Sequence, residues 1–357
     1  MELNILNKDL DLIGIVDSYT SLIWTQRYND VGDFELYVQA TAETIKLLQK
    51  DNYVSRNNDD MVCIIEKIQT ITDIENGPHL IVSGRDLKSI LGRRIIWQQT
   101  TLRGTVKDAI YQLINENIIN PAIAERKIRN FVLSESKETS EKIETQITGE
   151  NLLKSVIEIC KSYEHGFKVT LNDEKKFVFS LYKGIDRSYQ QSTNPYVIFS
   201  PEFDNIKTVE YMTDQTEYRN IALVAGEGEG LDRKTVTVGN GSDLDRYEIY
   251  VDARDVSTND SEITLEDYNK LLSERGIENL ANLTVKETFA GEVEPSMNYE
   301  YKKDYFLGDV VQIENELGIM IASRIIEIIE CVDENGYSMI PTFDTGERIN
   351  DNTKRFF

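Results

Sequence analysis

Between residues 80 and 97 the hydrophobic period of this chain changes, and the change separates two kinds of structure. Leu80 and Val82 alternate with smaller or polar neighbours, the two-residue repeat of a strand. Leu87, Ile90 and Leu91 then recur at i, i+3 and i+4, which is one apolar helical face. Ser83 and Asp86 have the spacing of a capping box, with Asp in place of the longer Glu. Gly92 suits the left-handed position that ends a helix. The stretch is expected to leave one domain as a strand, pass through a short helix and enter the next.

On either side the chain sorts into β, mixed and β regions. In 1–83, Phe34, Leu36 and Val38 alternate after a turn at 28–32, and a β-rich run over 10–28 carries Trp24 near its end. A short helix fits 41–50, with Ile45, Leu48 and Gln49 in its middle. Residues 61–72 read as a strand that Asn76-Gly77 turns back. In 84–200 a helix opens at Thr105, faces inward with Val106, Ala109, Ile110, Leu113, Ile114 and Asn117, and stops at Pro121. Residues 131–144 read as a strand and an exposed loop. Thr148 is expected to cap a second helix, with Leu152, Leu153, Val156, Ile157, Cys160 and Tyr163 inward and Gly166 as its stop. A hairpin over 167–181 follows. In 201–357 strands are expected near 206–211, 220–225, 234–238, 246–251, 283–289, 310–313, 319–331 and 337–343. One helix interrupts them, opened by Thr264, with Tyr268, Leu271 and Leu272 inward and Arg275-Gly276 closing it. The expected domains are 1–83, 84–200 and 201–357, with the late helix at 264–276; about two to three domains suit 357 residues.

Charge narrows the function. With 39 basic against 62 acidic residues the net charge is −23, so a groove that holds duplex DNA and adhesion to an anionic membrane are both disfavoured. An acidic surface serves solubility, or lines a passage that DNA crosses without sticking. Cys63, Cys160 and Cys331 are odd in number, far apart and set in apolar stretches, which fits free thiols in a reducing compartment rather than a disulfide framework. The start lacks the basic-then-apolar order of a secretory signal. The longest apolar stretch, 318–332, is broken by Arg324, Glu327 and Glu330, so no membrane insertion is expected.

No pattern calls for a catalytic centre, metal or cofactor. Gly226, Glu227, Gly228, Glu229 and Gly230 follow a strand where a phosphate loop would sit. The P-loop lysine is missing and the two glutamates would repel phosphate, so a Gly-rich hairpin or contact loop is expected. Residues 240–245 and 259–262 lack the ligand order of an EF-hand and read as turns. His79 and His165 form no metal-binding pair, there is no Cys-x-x-Cys, and no nucleophile elbow is present. A glycosidase needs only two carboxylates. Glu292 and Glu294 illustrate the difficulty, since alternating Glu in a strand usually marks its solvated face. Arg85, Arg93 and Arg94 form the main local basic cluster, either holding an anion or, as is preferred in so acidic a chain, pairing with acids of a neighbouring subunit.

The run 84–97 resembles a segment typical of tail hub proteins from long-tailed phages and prophages of Gram-positive bacteria. Stretches 13–34 (with Trp24 and Gly32-Asp33-Phe34), 219–233, 268–276, 307–311 and 324–330, and then Pro341-Thr342-Phe343, agree in order, so the resemblance covers most of the chain. It implies an α+β, β-rich fold in which two β-barrel-like tube domains flank a small α/β domain. It implies a non-enzymatic virion protein without cofactors, a homotrimeric quasi-sixfold ring at the tail tip or baseplate that lets DNA pass. The implied partners are the distal tail protein, the tape-measure protein and tip or receptor-binding proteins, with assembly in the host cytoplasm. Any lytic activity would lie on another polypeptide, since the chain ends soon after its last strand pair. On this reading 226–230 with Arg233 forms a contact loop, and Arg85, Arg93 and Arg94 lie at a domain or subunit junction. A cell-wall polysaccharide hydrolase and a carbohydrate-binding adhesin remain open beside it; the 18 Tyr could supply a sugar platform, although their spacing does not show one.

Overall fold

Alternation of apolar and polar residues builds strands throughout this chain, paired mainly antiparallel into open sheets. The structure, a computed structural model, describes residues 1–73, 77–135, 139–206, 210–257, 263–290, 293, 298–315 and 320–344. Two compact units result. The first comprises Met1–Thr20, Asn29–Tyr182 and Gln215–Val285; the second comprises Ser21–Tyr28, Lys183–Asp214 and Lys286–Phe357. The stretch 201–357 therefore contributes to both.

The first unit starts with six antiparallel strands in the order Asp33–Gln39, Gly77–Asp86, Val62–Asp73, Tyr53–Arg56, Leu3–Leu6, Leu12–Val16. Phe34, Leu36 and Val38 are buried on one face of the first of these, as their alternation requires. Helix α1, Ala42–Leu47, has a full capping box between Thr41 and Thr44. In the long hairpin the register slips between Ile65 and Lys67. Glycine is required opposite that bulge, because a Cβ on Gly84 would overlap the Ile64 carbonyl oxygen. Asn76, the expected turn residue, lies outside the described residues.

The strand runs on to Asp86, so the expected cap at Ser83 is displaced. Asp86 itself caps the next element, accepting from the Lys88 amide at 3.0 Å. That element, Leu87–Arg93, is a 3-10 turn rather than an α-helix, and Gly92 is not left-handed. Leu87, Ile90 and Leu91 are all buried, so seven residues following directly on a strand reach the core by tightening. Asp86 also accepts from the Gly32 amide at 3.0 Å and meets Lys88 Nζ at 3.2 Å, with both side chains buried. Lys88 Nζ donates to the Asp30 carbonyl and lies 5.4 Å from the Phe167 ring centre.

Beyond this knot, Leu87, Ile90 and Leu91 join a core with helices α2 (Val106–Ile114) and α3 (Leu152–Ser162). Strands Thr100–Thr105 and Lys142–Ile147 pair, and Phe177–Tyr182 lies between Gly166–Leu171 and Phe131–Leu133. Thr105 caps α2 as expected. The helix passes into a π-turn at Asn115–Ile119 before Pro121 is reached. Asn151, not Thr148, caps α3: its side chain accepts from Leu153 and Lys154 amides at 3.1 and 3.3 Å. Gly166 begins a strand, and the helix has already ended at Ser162.

The rest of the first unit is a three-stranded sheet, Thr235–Gly239, Ile221–Ala225 and Glu248–Asp252, packed on helix α4, Leu265–Ala281. Thr264 caps α4, and Tyr268, Leu271 and Leu272 are buried. The expected stop at Arg275-Gly276 is wrong, because α4 runs through it. Gly276 is buried, and an added Cβ would come within 2.8 Å of Val224 and Val238, so this glycine permits close helix-to-sheet packing.

The second unit is ordered Glu210–Asp214, Lys286–Ala290, Gly336–Asp344, Met320–Asp333, Ser21–Arg27. The early half of Met320–Asp333 also pairs with Val310–Glu314, and that strand pairs with Ile198–Phe199. Phe199, Tyr305, Ile325, Ile328 and Phe343 form its core. Buried Asp309 accepts from Arg187 Nε at 2.8 Å and from the Ile185 amide at 2.7 Å. The sheets of both units are open in strand order rather than closed into barrels.

Burial holds the Asp86 pKa above its ordinary value, and Lys88 pulls it back down. Lys88→Met should therefore cost about 3–5 kcal/mol at neutral pH, measured by denaturant unfolding. A carboxyl whose native pKa is raised loses stability as pH rises, so the deficit should shrink on acidification as Asp86 takes up a proton. Asp86→Asn combined with Lys88→Met should recover part of it at neutral pH.

Candidate interaction surface

The glycine-rich loop is tied down from behind. Strand Ile221–Ala225 ends at buried Gly226, whose amide donates to the Lys234 carbonyl at 2.9 Å, and the Lys234 amide donates to the Glu227 carbonyl at 2.9 Å. The Tyr268 hydroxyl on α4 accepts from the Glu227 amide at 2.7 Å and donates to the Val256 carbonyl at 3.3 Å. Gly228 and Gly230 adopt φ of +98° and +56°, which favours glycine and turns the chain back into Thr235–Gly239. Arg233 braces the turn: Nε donates to the Gly226 carbonyl at 3.0 Å, and Nη2 donates to Ala225 at 2.9 Å and to Asp252 at 2.7 Å. Arg254 first, with help from Arg233, holds the Asp252 carboxyl at about 2. Glu229 and Asp232 stand exposed at the tip, and Glu227 is half-buried.

The three arginines have different surroundings. Arg85 makes a two-pronged ion pair with Glu66 at 2.7 and 2.8 Å, across the bulge of its own sheet. Arg93 is exposed. Arg94 Nε donates to the Arg126 carbonyl at 2.7 Å. Arg126 in turn donates to the Ile95 carbonyl at 2.6 Å and to Asn117 Oδ1 at 3.1 Å, and its guanidinium lies 5.2 Å from the Trp97 ring centre. Burial and the Arg94 charge lower the Arg126 pKa. Arg126 and Trp97 were not among the residues expected at a junction. Trp97 closes the 84–97 run, but Arg126 comes about thirty residues later without a periodic link to it.

The other candidates are mostly structural. His79 stacks on Tyr37 at 4.7 Å, and buried His165 has Nδ1 2.6 Å from the Tyr163 carbonyl. All three cysteines are free, and burial pushes the Cys63 and Cys160 thiols well up. Among the described residues no three His, Cys, Asp or Glu side chains converge as metal ligands, and no helix is long and apolar enough to cross a membrane. Glu292, Glu294 and 259–262 lie outside the described residues. One carboxyl is strongly displaced: burial pushes Glu278 on α4 up to about 7, opposed by Arg275 and helped by Glu274 and Glu158. Its Oε1 is buried without a hydrogen bond, and Oε2 reaches only Thr145, at 3.5 Å.

This architecture is that of prophage tail proteins. The 43 kDa tail protein of prophage MuSo2 from Shewanella oneidensis superposes with a TM-score of 0.59 at 15% identity, covering 96% of this chain and 98% of that one. The tail protein from Neisseria meningitidis MC58 gives 0.56 at 14% identity, covering 96% and 95%. Prophage tail protein gp18 from Listeria monocytogenes EGD-e gives 0.52 at 12% identity, covering 99% and 96%. None of the curated proteins matches the sequence. The chain belongs to the family described as Siphovirus ReqiPepy6 Gp37-like protein, which matches residues 2–343. The resemblance to tail proteins of long-tailed phages and prophages therefore holds.

Tyr268→Phe removes both hydroxyl contacts, to the Glu227 amide and to the Val256 carbonyl, and should lower stability by about 1–3 kcal/mol in thermal unfolding. Glu278 keeps its proton to about pH 7 in the fold against an ordinary value of 4.5. Its raised pKa makes stability fall as pH rises between those values, with the whole penalty present above them. Glu278→Gln should therefore stabilise by about 2–3 kcal/mol near pH 8, and the gain should vanish near pH 4.

Proposed function

We propose that this chain is the hub of a phage tail tip or baseplate, a structural virion protein without catalytic activity. The observation that carries the proposal is the match of one tail-protein architecture across nearly the whole chain, together with family membership over residues 2–343. In this role the strands of 1–83 and 201–357 supply the β structure of the tube wall, with the 84–200 insert between them in sequence. Three copies form a quasi-sixfold ring that joins the tail tube to the tip and passes DNA. The partners are the distal tail protein, the tape-measure protein and tip or receptor-binding proteins, and assembly takes place in the host cytoplasm. The net charge of −23 suits a wall that repels phosphate.

The contacts assigned to assembly are the 226–230 loop braced by Arg233, the Arg93 and Arg94 surface, and Arg85, whose side chain is 52% exposed although Glu66 holds it. The hydrolase reading gains one displaced carboxyl, Glu278, but its Oε1 is buried and its Oε2 lies against Thr145, so the group is not offered to a polymer.

Native mass spectrometry of the full chain, alone and mixed with the distal tail protein, tests this reading. A species near three times 41.0 kDa is expected in at least one of the two conditions. A strict monomer in both would sink the ring.

A further inference from the structure

Two surface features of the first unit are uncovered by their own chain and match one another. One is a projecting tip. The single 3-10 turn Asp243–Asp245 carries Leu244, 87% exposed, between two carboxylates. It is held from behind: Asn220 donates to the Asp245 carbonyl at 2.7 Å and accepts from the Tyr247 amide at 2.9 Å, while Arg246 is paired with Glu248 and donates to the Gly241 carbonyl at 3.3 Å. Neither the Asp243 nor the Asp245 side chain has a partner among the described residues. A leucine held out on a pre-ordered turn between two carboxylates offers apolar area that an outside contact would remove from water at little further ordering cost.

The other feature is an apolar, cationic patch. Trp97 is 55% exposed, Ile95 41% and Ile123 37%. Arg94 and Arg126 border them, while the charge of Arg93, next in sequence, acts on Asp51. The contacts of Arg94 and Arg126 run to carbonyl and amide oxygens and to the Trp97 ring, and neither has a carboxylate partner among the described residues. Tryptophan and arginine are the residue types that most often anchor interfaces. Here Arg94, Arg126 and Trp97 are already tied to one another or to backbone carbonyls, so less side-chain entropy remains to be lost on docking. In a chain of charge −23, an apolar surface bordered by two guanidinium groups without carboxylate partners among the described residues complements a leucine flanked by aspartates.

We propose that the Asp243-Leu244-Asp245 tip of one copy docks on the Trp97–Arg126 patch of a second copy. The pairing rests on the hub reading, which requires copies to associate, and it names the surfaces through which they do so. Tip and patch are different surfaces of the same chain, so the contact is head to tail. Such contacts close into a ring when the rotation between copies divides a full turn.

Photo-crosslinking of the full chain tests the pairing directly. A benzophenone side chain in place of Leu244 is expected to form a crosslink between copies at 93–97 or 123–126, mapped by mass spectrometry. Asp243→Lys with Asp245→Lys, at exposed positions, should weaken self-association about tenfold or more, and Arg94→Glu should weaken it in the same direction. Joining all three changes in one chain should restore part of the loss, and circular dichroism should show each variant folded. Crosslinks that map elsewhere, or association unchanged by either charge reversal, overturn the pairing and leave the hub reading intact. A wild-type chain that stays monomeric alone but closes with the distal tail protein, without the Leu244 crosslink, overturns the pairing alone. A monomer in both settings overturns the two together.

Discussion

The buried pair of Asp86 and Lys88 is the hinge on which the first unit is built. It stands where the two-residue period gives way to helical spacing, and one carboxylate does three things there. It closes the preceding sheet through the Gly32 amide, starts the 3-10 turn through the Lys88 amide, and neutralises the ammonium that reaches the Asp30 carbonyl and the Phe167 ring. A buried ion pair is a poor source of net stability, because desolvating both charges offsets most of their attraction. Its value here is geometric. Few other arrangements satisfy both charges, so the six-stranded sheet and the α/β core that follows it are held in one register.

Much of the first unit was legible because its signals are local. Alternation at Phe34, Leu36 and Val38, the inward faces of α2 and α3, and the Thr105 and Thr264 caps are all set by residues within a few positions of one another. The errors have a common physical origin, since each concerns a residue whose role is decided by a distant neighbour. Gly276 looks like a helix stop, yet it is a clearance for Val224 and Val238. Gly84 looks like the start of a new segment, yet it sits opposite a bulge at Ile64. Asn151 outcompetes Thr148 because its side chain also donates to the Gly92 carbonyl at 2.9 Å, fixing the start of α3 against the 3-10 turn.

The second unit was legible as strands but not as a unit. Its sheet pairs Ser21–Arg27 with the far half of Met320–Asp333, and Arg27 meets Glu327 at 2.6 Å across 300 positions of sequence. Nothing in a period or a turn announces such a partner, since the loop closed between them is almost the whole chain. For the same reason the candidate surface was half visible. Arg93 and Arg94 are adjacent in sequence, whereas Arg126, which lies over Trp97 and holds Arg94 through its carbonyl, arrives only through tertiary folding.

The charge balance connects the two functional readings. Buried cations such as Lys88 and Arg187 are committed to buried acids, so they do not offset the negative field at the surface. In the hub role, that field keeps DNA phosphate from settling on the protein within roughly a Debye length of 8–10 Å, while screening by cellular salt limits the repulsion between copies at longer range. Copies that must still meet at contact distance need places where the sign is reversed and water is expelled for gain. A patch that keeps its guanidinium groups off its own carboxylates and lays one of them over a half-exposed tryptophan meets both requirements. An acidic protein can thus remain non-adhesive to nucleic acid and still be adhesive to itself, provided cations without acidic partners are gathered at the contact.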